Sequence, residues 1–142
     1  MKCLIAPLVS LVLAQVVKFI IESVKSRKLK WARLLNGSGG MPSSHTSFTF
    51  ALATIILLEC GVDSPEFAIS LVFSMITAYD AMGLRKESGK HAAILNHMMD
   101  ELIEGDKGKA FTKLKEQLGH NPCEVLVGII FGIIVATVVY FI

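Results

Sequence analysis

Apolar residues gather along the chain in four blocks, roughly Cys3–Ile21, Thr46–Cys60, Phe67–Leu84 and Val125–Ile142. A helix crossing a bilayer needs about 20 mainly apolar residues, with about 17 as a lower bound. The first, third and fourth blocks reach that length, and the second does so only if Met41–His45 count towards its depth. The pattern predicts about four transmembrane helices. The first block reads as a retained span and not a cleaved signal peptide. Only Lys2 precedes it, Gln15 and Lys18 interrupt it, and no small-residue cleavage site follows.

Between the third and fourth blocks the period becomes that of a surface helix. His91, Leu95, Met98 and Leu102 share one face, with Ile94 and Met99 at its edges and His97, Asp100 and Glu104 opposite. Phe111, Leu114 and Leu118 repeat the pattern against Lys109, Lys113 and Glu116, after Gly105-Asp106. Two amphipathic helices are predicted, lying on the inner membrane surface or capping the bundle. Gly89 is expected to break the chain so that Arg85 and His91 aim at one point, with the apolar stripe turning His91 towards the bundle. The fold predicted is an all-α integral membrane bundle with amphipathic cytoplasmic-side helices, a single domain over 1–142.

Composition agrees. The 142 residues are 53% hydrophobic and 18% charged, against roughly 25% charged in a soluble domain. The mean hydropathy of +0.60 excludes a disordered chain. Fourteen basic and 12 acidic residues give a net charge of +2, too balanced for a nucleic-acid binder. The distribution is more telling. Lys25 to Arg33 carries five basic residues and no acid, and seven more lie between the third and fourth blocks, from Arg85 to Lys115. The turn from Glu59 to Glu66 is purely acidic. Lys and Arg in short loops stay cytoplasmic, so both long connections are expected inside a cell membrane, with the short turn and both termini outside. Cys3, Cys60 and Cys123 form an odd set without a CxxC pair. They are expected to be packing residues, not disulfides or zinc ligands.

The most chemical stretch is Gly39-Gly40-Met41-Pro42-Ser43-Ser44-His45, which opens the second block. Proline suits a first helical turn, and Ser43 or Ser44 can cap it. The unpaired first N–H groups and the helix dipole favour an anion there, and Gly40 lets backbone approach it. His45 would then stand beside a bound phosphate, positioned to donate a proton. The plain alternative is an ordinary capped helix start.

Lys18, Asp80 and Arg85 lie within or at the edge of apolar blocks, where ionisable groups are costly. Lys18 and Arg85 could instead snorkel to headgroups. Asp80 is too short for that, and a Lys18–Asp80 pair is one arrangement. Lys18 lies about 10 Å, and Asp80 about 7–8 Å, from the flanking basic residues at 1.5 Å per residue. All these groups reach one end of the bundle. His97 reads as solvated, while His120 and Glu124 could cap the entry to the last span. Gly128 and Gly132 form a small-xxx-small pair that permits a homodimer contact.

Pro42-Ser43-Ser44-His45, Arg85-x5-His91 and Lys18 together resemble the divergent, small-membrane-protein branch of the type 2 phosphatidic acid phosphatase superfamily. The resemblance extends through Tyr79-Asp80-Ala81, Leu95-Asn96 and Leu118-Gly119-His120 to Pro122-Cys123-Glu124-Val125. It implies a first-motif lysine at Lys18, a motif serine and proton donor at Ser43 and His45, and a phosphate clamp and nucleophile at Arg85 and His91. The chain departs from the wider motifs at four places, the first being Lys25-Ser26 where the motif that begins at Lys18 has Arg-Pro. Ser44 stands for a glycine, Leu84 for a serine, and Leu95 for the aspartate that orients the nucleophile. Asp80 is the candidate replacement for that carboxylate.

The resemblance further implies hydrolysis of a lipid phosphate or prenyl diphosphate through a phosphohistidine, with no metal or cofactor. Two other readings remain open: a phosphate- or headgroup-binding membrane protein without turnover, and a small transporter or scaffold.

Overall fold

The computed structural model describes residues 1–26, 40–103, 113–114 and 119–142, the side chains of 25–26, 84–86 and 101–103 excepted. Five helices follow in order: α1 (Lys2–Ser26), α2 (Ser44–Cys60), α3 (Pro65–Met82), α4 (Leu84–Ile103) and α5 (Pro122–Phe141). Each apolar block is a helix, and α1 runs on to Ser26. Among the described residues, three helical stretches are long and apolar enough to cross a membrane: α1, α5, and α3 with its continuation into α4. The 17-residue α2 is shorter, at about 25 Å against a hydrocarbon core of about 30 Å. The fold is an all-α membrane bundle.

The position of α2 accounts for its composition. It packs against α1, α3 and α5 and buries Ser44, Thr46, Ser47, Thr49, Ala51, Ala53 and Ile55. Lipid tails are as apolar as leucine, so helices in a bilayer gain from close approach and polar contacts more than from burying large side chains. Accordingly Ala6, Ser10, Ala14, Ser74 and Ala136 turn inward, while Leu4, Leu8, Val12, Ile69, Val72, Met75 and Ile134 face outward. The interior is stitched by hydroxyls. Ser10 and Ser47 share a 2.6 Å hydrogen bond, and Ser74 donates to the Thr49 carbonyl at 2.9 Å.

The sharpest small-residue contact joins α2 and α5, which run parallel. A Cβ added at Gly128 would lie 2.7 Å from the Ser43 carbonyl oxygen, and one at Gly132 would collide with that of Ser47. The glycine pair is therefore used inside the chain, which removes it as a homodimer contact. Antiparallel α1 closes the other end, where Lys2 Nζ donates to the Tyr140 carbonyl at 2.7 Å.

Between α2 and α3, Gly61 ends one helix and Ser64 starts the next, accepting from the Phe67 N–H at 3.2 Å ahead of Pro65. The break after α3 falls at Gly83, not at Gly89, which lies buried within α4. Arg85 and His91 thus share one helix. Six residues apart, they differ by about 120° around its axis and about 9 Å along it. The stripe is also reversed from its expected direction. His91, Leu95 and Met98 are exposed, and Gly89, Ala92 and Asn96 are buried. Asn96 exchanges two hydrogen bonds with the backbone of Leu114, at 2.9 and 2.8 Å. The second amphipathic helix otherwise lies outside the described residues. Of the cysteines, Cys3 packs against the Ala6–Ile55–Ala136 cluster, whereas Cys60 and Cys123 are exposed and are not packing residues.

Candidate functional site

Four helix ends meet at one pole of the bundle: α1 and α3 finish there, and α2 and α5 begin. Pro42 lies just before α2, not in its first turn, and Ser43 is the N-cap residue. The Ser43 hydroxyl accepts from Thr46 Oγ1 at 2.9 Å and does not cap the backbone. Its N–H donates to the Glu124 carbonyl at 3.1 Å, so the start of α2 is pinned to α5. In a helix that begins after Ser43, the N–H groups of Ser44, His45 and Thr46 have no carbonyl within the helix to receive them.

Lys18 comes to this corner from α1. It is only 4% exposed, and its Nζ donates to Ser44 Oγ at 3.2 Å. A buried, directed ammonium group is not snorkelling. Gly40 lies against the same side chain: a Cβ there would be 3.5 Å from Lys18 Cδ and 3.0 Å from Glu22 Oε1, and its φ of +90° suits glycine. Lys18, Gly40 and Ser44 thus come together, with Ser43 beside them in the chain. Cation, hydroxyls and helix dipole all favour an anion here.

His45 is exposed beside them. It lines a cavity of about 530 Å³ with Asp80, the apolar Leu11, Phe48, Phe73 and Ile76, and the hydroxyls of Thr49 and Thr77. His45 and Asp80, drawn from α2 and α3, therefore share one space. Hydropathy does not reveal this cavity, whose wall is drawn from α1, α2 and α3.

Arg85 is placed at the head of α4, with its side chain outside the description. His91, six residues on, lies on the exposed stripe and does not face the bundle. Two residues read from sequence as entry-turn groups gain definite positions. Glu124 caps α5, its carboxylate accepting from the Asn121 N–H at 3.1 Å. His120 is 5% exposed, its N–H donates to the Ala81 carbonyl at 3.0 Å, and its ring meets His45 edge-to-face with centroids 6.5 Å apart. The Leu118-Gly119-His120 motif was the available signal, but its nearness to His45 is a long-range contact.

A helical membrane bundle with a cationic, imidazole-bearing corner at one pole defines the class. The chain belongs to the divergent PAP2 family, whose profile matches residues 1–135. It is similar to "Uncharacterized membrane protein YuiD" of Bacillus subtilis (strain 168), at 39% identity over 95% of this chain and 91% of that one. No solved structure matches it.

Proposed function

We propose that the chain is a membrane phosphatase that hydrolyses a lipid phosphate or prenyl diphosphate. The observation that carries this reading is the position of His45. Its neighbour Ser44 is bonded to buried Lys18, and its own ring opens onto a largely apolar cavity shared with Asp80. A phosphate held at the first corner would leave its hydrocarbon chain beside the second.

In this reading Lys18, the Ser44 hydroxyl, the first N–H groups of α2 and Arg85 hold the phosphate and offset the charge that grows in the transition state. An imidazole nitrogen attacks phosphorus, and the ester oxygen leaves with a proton from His45. His45 then takes a proton from water, whose oxygen attacks phosphorus as the phosphorus–nitrogen bond breaks, releasing phosphate and restoring the imidazole. The family resemblance gives the attack to His91, and Asp80 is the carboxylate nearest in role to an orienting aspartate. The helix ends that the basic connections join in sequence carry the site, which supports a cytoplasmic-facing site with both termini outside.

The test is phosphate release by the purified chain in detergent across lipid phosphates and prenyl diphosphates, with and without chelator. Release that survives chelation and falls roughly 100-fold or more in His45→Ala is expected. His91→Ala decides the nucleophile, because unchanged release in that variant removes His91 from the chemistry. The exposure of His91 favours one second reading, a phosphate- or headgroup-binding protein without turnover. That reading predicts binding of inorganic phosphate and no release from any substrate.

A further inference from the structure

His120 is the least expected group at this pole. The chain buries it to 5% exposure in the turn before α5, and anchors its backbone to the carbonyl of Ala81, the residue after Asp80. Its ring stands at 78° to that of His45, with centroids 6.5 Å apart. Among the described residues the cavity wall includes His45 but not His120. His45 is therefore exposed to a ligand on one side and braced by an imidazole on another.

Edge-to-face rings set the positive rim of one against the electron-rich face of the other. A protonated imidazole is attracted to a neutral aromatic ring in this arrangement, and two protonated rings repel. A proton on one ring would thus act on the other across this contact. Among the described residues at this pole, the ionisable groups on the surrounding elements include Lys18 and Glu22 on α1, Tyr79 and Asp80 on α3, Arg85 and Glu87 in the first turn of α4, and Cys123 and Glu124 on α5.

We infer that His120 is a positioning residue for His45: it fixes the ring that serves as proton donor and keeps a single proton on the pair. The inference rests on the reading of His45 as that donor. Nothing in it requires His120 to touch substrate.

The experiment has two arms on the purified full chain, with His120→Phe keeping ring and bulk and His120→Gln keeping polarity. In the first, the His45 ring is titrated by NMR of histidine-labelled protein. His120→Phe is expected to move its midpoint by about half a pH unit or more, with His120→Gln in between. In the second, phosphate release is followed against pH. A roughly tenfold fall in kcat with KM within about twofold is expected in His120→Phe, together with a shift of the limb that reports His45. An unmoved His45 midpoint in both variants, or equal losses in kcat, KM and thermal stability, overturns the inference and leaves His120 a packing residue. Absence of phosphate release by the unsubstituted chain defeats the phosphatase reading instead, while the NMR arm still decides whether the rings are coupled.

Discussion

Lys18 shows how much a single buried residue asks of its surroundings. An ammonium group at 4% exposure loses hydration worth several kcal/mol unless partners replace it, and the Ser44 hydroxyl restores part of that. Removing one member of a buried polar arrangement leaves its partners uncompensated, so Lys18→Met is expected to lower the melting temperature while the fold is kept. Inhibition by inorganic phosphate should weaken about 10- to 100-fold, the loss of one charged hydrogen-bonding group. Unchanged inhibition in a folded variant would separate Lys18 from the anion site. Lys18, Ser44 and His45 were legible because a charge or a proline-serine-histidine turn is conspicuous in an apolar background. His120 was not, because its burial depends on the turn before α5 folding back onto the end of α3.

At the scale of the element, the seam between α2 and α5 decides stability. Gly132→Ala drives a methyl group into the Ser47 carbonyl, and Gly128→Ala places one 2.7 Å from that of Ser43. Overpacking of this kind costs about 1–3 kcal/mol, and a drop of several degrees in melting temperature is expected in either variant. Gly128→Ala should also lower activity, because Ser43 opens the helix that carries His45. Equal melting temperatures would show that the helices are not in contact along this seam.

Asn96→Ala removes two backbone hydrogen bonds to Leu114. It is expected to cost about 2 kcal/mol, seen as faster amide exchange at Leu114. The helices themselves were legible from apolar block length alone. The direction of the α4 stripe was not, for a physical reason. In water an apolar stripe marks the buried face, but beside lipid the small residues turn inward, and Gly89, Ala92 and Asn96 do so here.

On the scale of the whole molecule, charge, site and exposed thiols can be read together. Cys60 ends α2 and Cys123 lies in the first turn of α5, so two exposed cysteines mark opposite poles. With the basic connections inside, a membrane-impermeant maleimide applied to intact cells should label a Cys60-only variant and spare a Cys123-only variant until the membrane is opened. The reverse pattern would put the site on the outer face.

Phosphoryl transfer at the Lys18–Ser44–His45 corner stands or falls on phosphate release from a long-chain phosphate monoester, measured for the unsubstituted chain and for His45→Gln side by side. Turnover by the first is expected, with a loss of about 100-fold or more in the second while fold and phosphate binding are retained. Equal release by both proteins would remove His45 from the reaction.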